Sequence, residues 1–264
     1  MTTPRLVATD LDGTLLRSDG SLSSRSRRAL RAVEAKGIET VLVTARPPRW
    51  LHDLADVVGG AGTAICANGA FVYHVASREV LACTAIDGDV VAEVVADLRR
   101  ELPGIGFAAE RITGLAAEDG FAALHQHPGG WVRAAAIEDL AEAPGKLLAR
   151  APAMDDLAFV EAVTEIVGDR LIVAYSGAGG LAEMSAPGVT KAVALAARCA
   201  ALGIDAAGVW AFGDMPNDLP MLEWAGVSHA VANAHPDVLT AADRVVPSND
   251  EDGVAATLEP LLDS

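Results

Sequence analysis

Short apolar runs of β type alternate with amphipathic helical stretches in the first and last thirds of this chain, and that alternation leaves few folds open. Parallel strands need a long crossover between them, usually a helix, so strand–helix alternation selects a parallel sheet covered by helices. In the first third, residues 6–9 read as a strand, and residues 21–36 as a helix with a serine-rich cap and Gly37 as its stop. Residues 41–43 and 63–67 read as further strands. Pro47 and Pro48 fit the first turn of a helix, and Asn68-Gly69 fits a turn into another strand at 71–73. The last third repeats the pattern, with helices predicted at 190–201, 218–224 and 254–262 and strands at 209–212, 227–232 and 244–246.

The pattern changes between about residues 84 and 185. Helical stretches at 90–102 and 156–167 are separated by Gly- and Pro-rich turns, and apolar runs follow at 171–175 and 180–184. This reads as an α+β domain inserted into an α/β core. The expected division is therefore 1–83 and 186–264 for the two halves of the core, with 84–185 as the insertion.

With 51% hydrophobic residues, a chain of 264 can bury one large core or two smaller ones. Charges interrupt every long apolar stretch, as Arg198 does between 193 and 204, so no membrane span is expected. The first strand begins too early to leave room for a signal peptide, and the expected location is the cytoplasm. Cys66, Cys83 and Cys199 lie far apart and form no Cys-x-x-Cys pair, which argues against disulfides and thiolate metal sites. A formal net charge of -16 without a basic stripe argues against nucleic acid as a partner. A small anion remains possible, because a divalent cation and a few Lys or Arg residues set the potential inside a cleft.

Ligands of open parallel sheets sit beyond the carboxyl ends of the strands, so strand-end residues are the candidates for chemistry. The first strand runs into Thr9-Asp10-Leu11-Asp12-Gly13-Thr14-Leu15, with two carboxylates one residue apart. One can attack an electrophile such as phosphorus while the other exchanges a proton with the leaving group or water. A hairpin turn would explain Asp12-Gly13 but neither Asp10 nor Thr14. Thr44 ends the second strand, where it can cap the next helix or donate to a phosphoryl oxygen. Lys191 opens a helix, a position the helix dipole disfavours for a cation unless an anion lies nearby. Gly213-Asp214-Met215-Pro216-Asn217-Asp218 follows a strand and offers hard oxygen ligands of the kind magnesium selects, although Asp218 could equally serve as a helix cap.

These segments resemble, in order, the motifs of the haloacid dehalogenase (HAD) superfamily. Asn68-Gly69-Ala70 and Glu251-Asp252-Gly253-Val254 look like its Cof-type branch, subfamily IIB, which carries a C2B cap after the third strand. The resemblance implies a Rossmann-like parallel-sheet HAD core with an inserted α+β cap, and Mg2+ as cofactor. It implies Asp10 as the nucleophile that becomes an aspartyl-phosphate and Asp12 as the acid and base. Thr44, Lys191 and Asn217 are then the phosphate-binding residues, with Asn217 alternatively orienting Lys191. Asp10, the carbonyl of Asp12, Asp214 and Asp218 are the metal set, Asp218 either directly or as support. Arg46 is a candidate for a second anionic or hydroxyl group on the substrate. The sequence departs from the usual pattern at Ala45, where many members carry Gly, and at Pro216.

The expected partner is a small phosphorylated metabolite such as a sugar phosphate, with the protein a monomer or homodimer. The cap is expected to close over the cleft and set specificity, with His125-Gln126-His127 and Trp131 as candidates for substrate contact, the bland alternative for the histidines being an exposed loop. Two rivals share these core motifs: a phosphosugar mutase of the phosphomannomutase type, and a non-catalytic phosphometabolite-binding protein. The second has no need of a nucleophile.

Overall fold

The computed structural model describes residues 3–51, 54, 62–121, 130–151, 154–174 and 180–262. The chain divides into two compact units, one made of Met1–Leu81 with Thr190–Ser264 and the other of Ala82–Val189.

The first unit opens with β1 (Leu6–Thr9), α1 (Ser24–Ala35), β2 (Glu39–Val43), β3 (Thr63–Cys66), β4 (Phe71–His74) and β5 (Glu79–Cys83). Ser23 caps α1 by accepting from the Ser26 amide, and its apolar side buries Ala29, Leu30 and Val33. The two prolines after β2 begin a 3-10 turn, Pro48–Trp50. The inserted unit contributes α2 (Gly88–Glu101), β6 (Gly106–Arg111), β7 (Gly114–Ala117), β8 (Val132–Arg133), β9 (Lys146–Arg150), α3 (Asp156–Val167), β10 (Ile172–Ala174) and β11 (Leu181–Ser185). The chain then returns to the first unit with α4 (Lys191–Ala201), β12 (Val209–Gly213), α5 (Leu219–Trp224), β13 (Val227–Val231), α6 (Pro236–Ala241), β14 (Arg244–Val246) and α7 (Gly253–Leu258).

The first unit holds an eight-stranded sheet ordered β14-β13-β12-β1-β2-β3-β4-β5. From β14 to β3 every pairing is parallel, and β4 then returns antiparallel to β3. Its central strands are buried on both faces, so β1 reads as a continuous apolar run rather than an alternating one. Leu6, Ala8, Val41, Val43, Val209 and Ala211 pack with Leu195 and Cys199 of α4 into one core. The chain leaves β1 toward β2 on one side and later fills the other side with β12. That reversal at β1 is a topological switch point, where loops diverge and leave a crevice.

The inserted unit is a six-stranded sheet ordered β10-β11-β9-β6-β7-β8. Phe107, Leu147, Ala149 and Met184 from its strands pack against Val94 and Leu98 of α2 and Phe159 and Val163 of α3. No helix among the described residues is long and apolar enough to cross a membrane.

Candidate active site

Asp10 and Asp12 follow β1, Thr44 follows β2, Asp214 follows β12, and Lys191 is the first residue of α4. The parallel register aligns β1 with both neighbours, pairing Thr9 with Leu42 and with Phe212, so these strand ends lie side by side.

Lys191 is the electrostatic centre. It is only 2% exposed, and its Nζ donates to Asp10 Oδ1 and to Asp218 Oδ1, each at 2.6 Å. Burial opposes its charge, but the carboxylates of Asp10 and Asp218 outweigh that and hold its pKa above the ordinary lysine value. The helix dipole that made this lysine conspicuous in the sequence is offset by the same two anions.

Asp10, Asp214 and Asp218 are all buried, and each offers a carboxylate oxygen within 4.8 Å of the others'. Burial raises the Asp10 pKa well above the ordinary carboxylate range against the opposing pull of Lys191, and pushes Asp214 up to about 6. Three carboxylates against one ammonium leave an excess of two negative charges, the charge of one divalent cation. The donor set is all hard oxygen, and Asp214 Oδ2 carries no hydrogen bond among the described residues, so the cluster fits magnesium in both charge and ligand type.

The three carboxylates are not equivalent. Asp218 is fully buried; its Oδ1 accepts from Lys191 and its Oδ2 accepts from the amides of Asp214 and Met215, both at 3.1 Å. It therefore ties the loop after β12 to Lys191, and both its oxygens are already engaged. Asp214 Oδ1 accepts from the Thr14 hydroxyl at 2.8 Å, which leaves Oδ2 facing Gly13. Gly13 has φ +82, and a Cβ there would sit 2.4 Å from Asp214 Oδ2. Only glycine permits that approach. The loop after β13 grips both segments: Asn233 Nδ2 donates to the Gly13 carbonyl at 2.8 Å, and the His235 amide donates to the Asp214 carbonyl at 2.8 Å.

Thr44 is fully buried, and its Oγ1 accepts from the Arg46 amide at 3.1 Å, leaving its own proton to donate. Ala67 and Asn68 both take left-handed backbone, with φ 53 and φ 58, a conformation that costs a non-glycine residue about 1–2 kcal/mol. Their amides donate to the carbonyls of Arg46 and Thr44, which fixes the loop after β2. Gly69 follows with φ +114, where a Cβ would lie 2.5 Å from the Thr190 carbonyl, so the same turn also seats the start of α4.

Two expected residues sit differently from a simple phosphate cup. Asn217 is exposed and donates to Asn68 Oδ1 at 3.3 Å; among the described residues the hydrogen bonds of Lys191 go to Asp10 and Asp218 and none to Asn217. The Asp12 carboxylate stands outside the acidic cluster and is clasped by Arg46, whose Nε donates to Oδ2 at 2.8 Å while its terminal nitrogen binds Oδ1. His125, Gln126 and His127 lie outside the described residues, and Trp131 is exposed in the inserted unit. Asn233 is a site residue that the sequence analysis does not name, and Thr14 and Asn68 are named there only as members of motifs, without the contacts the fold gives them. Their side chains act on neighbours that only the fold brings close.

A buried lysine thus bridges two aspartates at the switch point of a parallel sheet. The model of the haloacid dehalogenase-like hydrolases matches residues 7–258, and the chain belongs to that family. It is 28% identical over 259 residues to 5-amino-6-(5-phospho-D-ribitylamino)uracil phosphatase YcsE of Bacillus subtilis, covering 96% of this chain and 94% of the relative. Identity to the phosphoglycolate phosphatase of Methanopyrus kandleri is 28% over 258 residues, covering 98% and 97%. The crystal structure of a haloacid dehalogenase-like hydrolase from Bacteroides thetaiotaomicron superposes with a TM-score of 0.83 at 25% identity, covering 98% of this chain and all of that one. The chain is thus an enzyme of the phosphatase type within its family.

Proposed function

We propose that this protein hydrolyses small phosphate monoesters with magnesium, through a phosphoryl group carried transiently on Asp10. The observation that carries this reading is Lys191, buried and bonded at 2.6 Å to both Asp10 and Asp218, beside an acidic cluster with two negative charges in excess. Asp10 and Asp214 would hold the cation by their carboxylates and Asp12 by its carbonyl, with Asp218 as support. Bound there, magnesium would neutralise charge on the phosphoryl oxygens and keep Asp10 ionised.

Asp10 attacks phosphorus in line: its oxygen–phosphorus bond forms as the bond to the leaving oxygen breaks. Asp12 gives its proton to that oxygen, then takes one from the water whose oxygen displaces Asp10 from phosphorus. Lys191 neutralises the transferring group, while Thr44 donates its hydroxyl proton to a phosphoryl oxygen. Asn217, exposed and giving one amide hydrogen to Asn68, would offer the other to the phosphate or to the rest of the substrate. The relatives named for phosphoglycolate and for a phosphorylated ribitylaminouracil support a small soluble metabolite as substrate.

A panel of phosphorylated metabolites, assayed for released phosphate with and without magnesium, tests the reading. The wild type should release phosphate only with the metal, and Asp10→Asn should lose at least about a thousandfold in kcat while keeping its fold. Comparable turnover by Asp10→Asn, or conversion of a sugar phosphate to its isomer without phosphate release, would contradict it.

A further inference from the structure

The clasp between Arg46 and Asp12 conflicts with free proton transfer by Asp12. Both carboxylate oxygens are held by one guanidinium, in the two-point geometry that makes Arg–carboxylate pairs strong and directional. A carboxyl group that donates a proton must present one oxygen to the leaving atom, and its neutral form no longer attracts the guanidinium. The backbone of Arg46 is pinned, its amide to Thr44 Oγ1 and its carbonyl by the Ala67 amide. Its side chain, by contrast, is 25% exposed and that of Asp12 55% exposed. The guanidinium is therefore the part of this segment that can move, and solutes can reach it.

We infer that Arg46 is a substrate-operated latch on Asp12, released by a carboxylate that the substrate carries close to its phosphate ester. A planar carboxylate is the group that matches the fork now occupied by Asp12, so it can exchange for Asp12 without leaving the guanidinium unpaired. Once freed, Asp12 can turn an oxygen to the leaving atom and give it a proton as the Asp10–phosphorus bond forms and the bond to the leaving oxygen breaks. A monoester without an acceptor leaves the latch shut, and its leaving oxygen departs unprotonated. Discrimination then falls on kcat, because the carboxylate's binding energy is realised as an assembled proton donor. This rests on the phosphatase reading above and specifies its substrate class.

The test compares phosphoglycolate with ethyl phosphate, which lacks the carboxylate, in the wild type, Arg46→Ala and Arg46→Lys, all with magnesium. The wild type should favour phosphoglycolate by about tenfold or more in kcat, and Arg46→Ala should shrink that ratio by about tenfold. Arg46→Lys keeps the charge without the fork and should fall between them; it carries the test if the alanine variant does not fold. A wild type with no kcat preference, a ratio that survives Arg46→Ala, or a change confined to KM would overturn the latch, the last identifying Arg46 as a plain binding residue. Magnesium-dependent turnover of p-nitrophenyl phosphate by the wild type, lost in Asp10→Asn, separates these outcomes from failure of the phosphatase reading itself.

Discussion

Replacing Lys191 by methionine keeps most of the side-chain volume and removes the single cation from a buried acidic cluster. Lys191 is 2% exposed, and Asp10, Asp214 and Asp218 are 5%, 6% and 0% exposed, so the carboxylates left behind have little water to turn to. Removing one partner of a buried ion pair costs about 3–5 kcal/mol, because the remaining charge is stranded. That cost depends on pH in a definite direction. The Asp10 and Asp214 carboxyls already titrate above their ordinary value in the fold, and loss of Lys191 raises them further. The folded variant therefore binds protons that the unfolded chain does not, from about pH 4 upward, and its stability falls as pH rises through the folded pKa values. Lys191 itself, with its pKa raised, does not titrate in this window. The deficit of Lys191→Met should thus be about 3–5 kcal/mol near pH 8 and clearly smaller near pH 5. Urea unfolding in EDTA, followed by the fluorescence of the buried Trp210, measures it. A deficit below about 1 kcal/mol at both pH values, or one that grows on acidification, would refute this view of Lys191.

Thr14→Val removes the 2.8 Å hydrogen bond to Asp214 Oδ1 without changing the shape of the side chain. Magnesium affinity, read by calorimetry on the resting enzyme, should weaken about tenfold, and an unchanged affinity would contradict the assigned role. Burial sets the Asp214 pKa at about 6, so protons should compete with magnesium below that value. Affinity should fall by up to about tenfold per unit as pH drops below about 6, and a flat profile down to about pH 5 would count against Asp214 as a ligand.

The first unit is readable because its central strands are buried on both faces and end in punctuating residues. β1, β12 and the 41–43 part of β2 appear as apolar runs, and Gly13, Gly37 and Asp214 mark where they or their helices stop. The inserted unit was less readable: β6 runs Gly-Phe-Ala-Ala-Glu-Arg, and alanine and glycine carry little strand signal. α6 is a single short helix that begins at Pro236 and gives too little periodicity to detect. Within the site, motif order was enough to nominate Asp10, Asp214 and Lys191. It could not tell that Asp218 holds Lys191, that Thr14 aims Asp214, or that Arg46 clasps Asp12. These contacts join residues 27, 200 and 34 positions apart, and each depends on a side-chain direction that spacing along the chain does not encode.

The central claim is that Asp10 takes the phosphoryl group. Acid-quenching the wild type during turnover of a 32P-labelled monoester, then reducing with borohydride and mapping peptides, tests it most directly. A labelled protein whose Asp10 becomes homoserine, with no label on Asp10→Asn, is the predicted result. Label on a different residue, or turnover by Asp10→Asn at the wild-type rate, would contradict it.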